Sequence, residues 1–332
     1  MIITRTPFRI SFFGGGTDYP IYYKENGGAV LSTTINKYCY IHCRYLPPFF
    51  DYRYRIRYTN REEVQNLSDI EHPSVRECIK YLNLDKGIEM VHTSDIPAQS
   101  GIGSSSSFTV GFLNTLYALQ GKITTKRQLA QDAIYIEQNI IKENVGSQDQ
   151  VAAAYGGFNK IEFGEESEFD VHPITIGEDR LVNLQKHLML FFTGFQRRSS
   201  DIAGEQIKKT PDRKDQLKTM LEMVDEAIDI LNNNHSDINE FGKLLHKSWT
   251  IKRGLTDKIT NSTIDNIYRS ALDAGALGGK LLGAGGGGCI LFFVEPEFQP
   301  KVREKLKDLI YIPFEFENLG SQIIYYESKE NF

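Results

Sequence analysis

The chain has 332 residues, room for two domains of ordinary size or one large one. Hydrophobic residues make up 40% and charged residues 24%, the balance of a globular protein in water, and a net charge of -5 argues against a general nucleic-acid binder. No apolar stretch is long enough to span a bilayer, and the opening MIITRTPFRISFF lacks the basic-then-apolar layout of a secretion signal, so a cytoplasmic protein without membrane or nucleic-acid partners is expected.

In chain order, GAVLSTTI, KYCYIHCRYL and YRIRYT are β-branched or aromatic runs of period-2 character, and GIEMVHTSDIP is a strand running into a loop. KYCYIHCRYL puts Cys39 and Cys43 on one strand face and His42 on the other, so buried cysteines are expected there and not a zinc site. With Cys78 and Cys289 they are too scattered for a disulfide scaffold. FTVGFLNTLYALQG is apolar at helical spacing and stops at Gly121; TTKRQLAQDAIYIEQNII repeats the pattern with Thr124 or Thr125 as N-cap. AAYGGFNKIEF turns through Gly156–Gly157 into a strand. The acidic, turn-rich stretch from Phe163 to Arg180 places a domain junction near residue 180. Beyond it come a buried-type strand (HLMLFFTG) and amphipathic helices near 199–209, 212–233, 236–253 and 261–274. LGGKLLGAGGGGCILFFVEP then reads as strand, glycine loop, strand, and a helix with two short strands closes the chain. The expectation is an α+β fold in two lobes, 1–180 and 181–332, with helices packed on mixed sheets.

The stretch SDIPAQSGIGSSSSF (94–108) sits between an apolar strand and an apolar helix, which a flexible linker does not. Its glycines let successive N–H groups point at one spot, and the helix beginning near Ser104 adds unpaired N–H groups and the positive end of its dipole. Gly101, Ile102, Gly103, Ser104, Ser105, Ser106 and Ser107 are therefore candidates to cradle phosphate, against the alternative of a capped turn. The stretch matches neither GxxxxGK[ST] nor GxGxxG. Two more glycine-rich loops flank strands: RTPFRISFFGGGTDYP near the start and KLLGAGGGGCILFF near the end. Three such loops suggest one shared anionic ligand.

These three loops, in this order, resemble the three motifs of the GHMP kinases, and PAQSGIGSSSS resembles that family's P-x-x-x-G-L-G-S-S motif with Ile102 in the leucine position. The resemblance covers nearly the whole chain. It implies a two-lobed kinase with ATP bound at the serine loop. It also implies magnesium held by Glu137 and Ser105, Asp149 as the carboxylate that activates the acceptor, and Arg9 beside Asp149 stabilising charge on the transferring group. Without the resemblance, Glu137 reads first as an ordinary surface carboxylate, and Asp149 equally as a helix N-terminal charge.

Galactokinases carry a Glu-His pair before Thr-Asp-Tyr where this chain has Gly15–Gly16, while their sugar-contacting Asp is kept as Asp18. Galactose is therefore not expected. FFGGGTDYP, GGAVLSTTI, ENVGSQDQ and TGFQRRSSDIA are most similar to bacterial D-glycero-D-manno-heptose 7-phosphate kinases, which implies phosphorylation of an anomeric hydroxyl to a 1,7-bisphosphate. Gly15, Gly16, Asp18, Gly285 and Gly286 would then line the acceptor site. Arg197, with Arg198, would meet the acceptor's phosphate; Arg53, Arg55 and Arg57 on one strand face, then Lys252 and Arg253, are weaker candidates. A homodimer is allowed. Two other readings stay open: a fucokinase-type enzyme acting on an unphosphorylated sugar, and a non-catalytic sugar sensor.

Overall fold

The computed structural model describes residues 1–165, 168–195, 199–233 and 235–327. The chain opens with the long strand β1 (Ile2–Phe13), the short helix α1 (Pro20–Asn26) and the longer strand β2 (Gly28–Tyr45), which pairs antiparallel with β1 from Ile2↔Cys43 to Phe13↔Leu31. Two runs expected as separate strands are thus one. Asn36 and Lys37 between them carry no turn chemistry, and Asn36 is kept extended by Glu315, whose carbonyl accepts from the Asn36 N–H and whose N–H donates to Asn36 Oδ1, both at 2.9 Å. The hairpin β3 (Tyr54–Arg57) and β4 (Arg61–Val64) follows, then helix α2 (Pro73–Tyr81) and strand β5 (Ile88–Ser94). Helices α1 and α2 were not expected; both begin on a proline, whose fixed φ and missing N–H suit a first helical turn.

Helix α3 (Ser104–Leu119) is buried nearly all round and lies against β1 and β2, with Thr4 Oγ1 donating to Gly111 O at 3.1 Å. Helix α4 (Lys126–Tyr135) starts at Thr125, whose hydroxyl accepts from Gln128 N, and ends in a π-helical turn over Ile136–Ile140. Helix α5 (Gln148–Tyr155) leads into β6 (Phe158–Phe163) and β7 (Phe169–Pro173).

Helix α6 (Glu178–Lys186) spans the expected junction, and β8 (Leu188–Phe192) starts a second sheet. Helices α7 (Ser199–Lys209), α8 (Lys214–Asn232), α9 (Asn239–Arg253) and α10 (Ser262–Asp273) fall within a few residues of their expected spans. Strands β9 (Ala276–Leu281) and β10 (Cys289–Val294), helix α11 (Gln299–Lys305) and β11 (Ile310–Ile312) complete that sheet in the order β11-β8-β10-β9, all antiparallel. The last two strands, β12 (Phe316–Glu317) and β13 (Gln322–Tyr326), leave it. They pair with β2 and β1 in the first sheet, so the chain's end belongs structurally with its beginning.

The two lobes are fused through buried side chains. Phe241 of α9 packs edge-on against Phe12 and Phe13 at 5.5 and 5.2 Å between centroids, and Lys280 of β9 donates from Nζ to Phe12 O at 2.8 Å. No helix among the described residues is long and apolar enough to cross a membrane. Cys39 and Cys43 are buried on one face of β2, and burial pushes both thiols up from their ordinary range.

Candidate active site

The three glycine loops meet where the lobes join. The loop after β1, the serine loop before α3 and the loop between β9 and β10 are tied to one another through backbone groups. Cys289 N donates to Ser100 O at 2.7 Å, and Arg9 N of β1 donates to Ile102 O at 3.1 Å. The Ile102 side chain itself is fully buried.

Arg9 is the hub. Its Nε and Nη2 donate to the two carboxylate oxygens of Asp149 at 2.7 and 2.8 Å, and Nη1 donates to Gly101 O at 2.7 Å. A bidentate guanidinium–carboxylate pair of this kind fixes the plane of the carboxylate as well as its position. Each Asp149 oxygen has a second lone pair, so the group can still accept a hydroxyl. Gly103 caps α3 with φ +77°, and a Cβ there would sit 3.2 Å from Arg9 Cγ and 3.3 Å from Asp149 Oδ2. Only glycine both adopts this backbone and leaves the pair undisturbed.

The run of serines divides by helix face. Ser104 is half-buried and Ser105 exposed at the mouth of the loop, and neither hydroxyl hydrogen-bonds a described residue. Ser106 and Ser107 turn inward: Ser107 Oγ donates to Pro7 O at 2.9 Å, and Ser106 Oγ donates to Glu137 Oε2 at 2.8 Å. Within the stretch Gly101 to Ser107, the α-helical turn rotates the hydroxyls of the last two serines onto the face packed against β1 and the π-helical turn. Glu137 occupies that π-helical turn, a widened geometry that frequently marks functional positions. It is wholly buried; Gln150 Nε2 also donates to Oε2, while Oε1 has no partner among the described residues. Burial raises its carboxyl to about 7, with nearby Glu143 adding to the rise, despite the hydrogen bonds from Ser106 and Gln150 that favour the charged form. A buried carboxylate oxygen with no donor, beside serine hydroxyls at a helix N-terminus, fits a hard divalent cation that takes oxygen ligands and keeps several waters.

Asp18 lies on the opposite side of Asp149. It is buried, accepts from Gly16 N and from Gln148 Nε2 at 2.9 Å each, and its carboxyl is raised by burial, with a further contribution from Asp149. Gly15 and Gly16 precede it, separated from it by Thr17. Gly285 and Gly286 face away from this group: Gly286 N donates to Ile259 O at 2.9 Å, and a Cβ on Gly285 would meet the Ile259 backbone. These contacts pin the third loop to the second lobe. Arg197 and Arg198 lie outside the described residues.

Two lysines change the electrostatics. Lys252 of α9, ranked low from sequence, is buried and donates to Gly283 O at 2.5 Å; burial lowers its ammonium to about 8, Arg9 adds to the lowering, and Asp18 and Asp149 oppose it. Lys280 is 1% exposed, and burial, then Lys252 and Arg9, drives it well below the ordinary lysine range. Lys252 was a weak candidate for the acceptor's phosphate, and Lys280 was not singled out at all. Lys280 opens the third glycine motif from inside an apolar strand, which is the signal that could have found it. Arg9 and Lys252 therefore stand near two carboxylates (Asp18 and Asp149) in a buried space, with Lys280 nearby in a setting that disfavours its charge. Among the other described basic candidates, Arg57 has a buried Nε without a hydrogen-bond partner, and the rest are committed elsewhere. Arg55 pairs with Glu63 and Glu89, Arg53 donates to Asp85 O, and Arg253 pairs with Asp265 at 2.9 Å. Arg57 stands with Arg55 on the hairpin strand β3.

The chain matches the family description GHMP kinases N terminal domain over residues 73–157 and GHMP kinases C terminal over 223–311. It is 32% identical over 307 residues to a D-glycero-alpha-D-manno-heptose 7-phosphate kinase of Campylobacter jejuni, covering 89% of this chain and 90% of that protein. It is 26% identical to an L-fucokinase/L-fucose-1-P guanylyltransferase of Bacteroides fragilis, covering 90% of this chain and 35% of that protein. Among solved structures, a D-glycero-D-manno-heptose 1-phosphate kinase from Bacteroides thetaiotaomicron superposes with a TM-score of 0.78 at 24% identity, over 99% of this chain and all of that one, which shows the fold.

Proposed function

This chain belongs to the GHMP kinases, and from that premise we propose that it is a sugar kinase transferring the γ-phosphoryl group of ATP to the anomeric hydroxyl of D-glycero-D-manno-heptose 7-phosphate, in the making of nucleotide-activated heptose. The observation that carries the chemistry is the Arg9–Asp149 fork anchored to the serine loop through Gly101 O. The choice of acceptor rests on the Campylobacter relative, whose similarity runs through 90% of its own length.

On this reading Ser104, Ser105 and the first N–H groups of α3 hold the nucleotide phosphates. Asp149 accepts the hydrogen bond of the anomeric hydroxyl and takes its proton as the new O–P bond forms. Arg9 keeps that carboxylate in plane, and Lys252 adds positive charge on the side of the third loop. Glu137 and Ser105 would hold magnesium, with Ser106 orienting Glu137; the metal supplies charge neutralisation of the phosphates when bound. The Arg9–Asp149 pair together with the buried Glu137 supports catalysis over passive sensing. An ADP-release assay across heptose 7-phosphate, heptose 1-phosphate, free heptose and fucose tests the assignment. Heptose 7-phosphate should exceed each of the others by at least about two decades in kcat/KM, since each charge-assisted hydrogen bond to phosphate is worth roughly 1.5–3 kcal/mol and 1.4 kcal/mol is tenfold. Equal or better turnover of fucose would replace the reading with the fucokinase type.

A further inference from the structure

Helix α7 brings one side chain into the acceptor side of this site that the kinase reading leaves unexplained. Gln206 is 4% exposed, and its Nε2 has no hydrogen-bond partner among the described residues. That amide lies directly over Gly16: a Cβ on Gly16 would stand 2.6 Å from Gln206 Nε2, and the Gly16 backbone at φ +107° rarely accommodates any other residue. Gly16 N donates to Asp18 Oδ1, and Gln148 donates to the other oxygen of Asp18, so Gln206 stands one residue from the Asp18–Gln148–Asp149 group. Helix α7 is docked to the loop leading into α5, with Asn144 donating from Nδ2 to Ser200 O at 3.3 Å. The helix is thus fixed against the segment that carries Asp149.

A second orphan sits beside the same glycines. Ser11 of β1 is 5% exposed, its hydroxyl has no partner, and it is the nearest atom to a Cβ built on Gly15. Gln148 Oε1 is likewise buried and unpartnered, while its Nε2 is fixed on Asp18. Buried donors and acceptors left unpaired are uncommon in native proteins and call for an explanation. Here a donor (Gln206 Nε2), an acceptor (Gln148 Oε1) and a hydroxyl (Ser11) are left unpaired around the turn from Gly15 to Asp18, the Gln206 amide lying where a Gly16 side chain would be. A polyhydroxylated ligand, whose every hydroxyl both donates and accepts, suits such groups.

We propose that Gln206 is a specificity-determining residue that donates from Nε2 to a ring or side-chain hydroxyl of the acceptor sugar, with Ser11 completing the same polar wall. This rests on the sugar-kinase reading above and adds to it the residues that select the hydroxyl pattern. Loss of one neutral hydrogen bond in a buried site lowers acceptor kcat/KM by about tenfold.

The test is steady-state kinetics of the full chain with D-glycero-D-manno-heptose 7-phosphate and its single-deoxy analogues, comparing wild type with Gln206→Met and Ser11→Ala. Gln206→Met keeps length and apolar packing while removing the amide. It should raise acceptor KM about tenfold with ATP KM and melting temperature unchanged, and one deoxy analogue should be turned over equally by variant and wild type. Ser11→Ala should lose affinity for the acceptor in the same way, with a different analogue abolishing the difference; it serves if Gln206→Met proves poorly folded. A Gln206→Met enzyme within about twofold of wild type on every acceptor, or equally impaired on every analogue, overturns the proposal. If wild type fails on heptose 7-phosphate but turns over another sugar, the acceptor reading falls, and the same comparison with that sugar and its deoxy forms decides the role of Gln206.

Discussion

Ser106 Oγ donates to Glu137 Oε2 at 2.8 Å, one helix position beyond the serine that the motif pattern singles out. The bond orients a wholly buried carboxylate whose other oxygen has no partner among the described residues. Ser106→Ala should therefore raise the magnesium concentration for half-maximal activity by about tenfold, the effect of a hydrogen bond to a charged group. Ser105→Ala, exposed at the loop mouth, should weaken MgATP without lowering the melting temperature. Glu137→Gln sets the upper limit of the metal effect. Superimposable magnesium titrations for Ser106→Ala and wild type would remove Ser106 from the metal site.

Asp149→Asn keeps the size of the side chain and one acceptor toward Arg9, its amide nitrogen being a donor, and cannot take a proton. It should lower kcat by 10²- to 10⁴-fold, the usual range for a lost general base, with nucleotide affinity nearly intact by calorimetry. A variant retaining more than about a tenth of wild-type kcat would show that Asp149 only orients the acceptor.

Gly103→Ala places a methyl group against both Arg9 and Asp149 and forces a φ of +77° on a residue that disfavours it. Misplacing a catalytic group by about 1 Å costs on the order of 10²-fold in rate. Turnover should fall by that order, and the melting temperature should fall with it. Wild-type turnover in the alanine variant would mean the pair tolerates displacement.

Lys252 links stability to pH. Its folded pKa is about 8, against about 10.4 for an unfolded lysine. Between those values the unfolded chain binds more protons than the folded one, so this group makes the protein more stable as pH rises from about 8 to about 10. Below that window the buried ammonium opposes folding by on the order of 3 kcal/mol. Lys252→Met removes the linkage. Measured without ligands, its melting temperature relative to wild type should decline steadily between pH 8 and pH 10 while its turnover is reduced at pH 7. A difference from wild type that is constant across that pH range would show that Lys252 is not a buried cation of the site.

Much of the fold was legible because local pattern and tertiary role agree. The amphipathic period of α7 to α10 located those helices within a few residues, and period-2 runs located β2 and β5. Helices α1 and α2 escaped because each is short and carried by a proline start and by packing. The join of β2 across Asn36 escaped because it depends on Glu315, far along the chain.

By itself the sequence determined the three glycine loops, their order, the presence of Arg9, Asp18, Glu137 and Asp149, and with them the family. These are short-range facts, since a glycine at positive φ or a serine run before an apolar helix declares itself within a dozen residues. Tertiary structure alone decided which of those groups meet. Arg9 and Asp149 are 140 residues apart and become a bidentate pair only when β1 packs under α3 and α5. Rotation about α3 decided that Ser106, and not Ser107, reaches Glu137. Lys252 looked like one more charge on an amphipathic helix, Lys280 like part of a strand, and Gln206 like a surface amide. Their burial beside the carboxylates follows from the docking of the second lobe on the first, a long-range arrangement that no local residue pattern encodes.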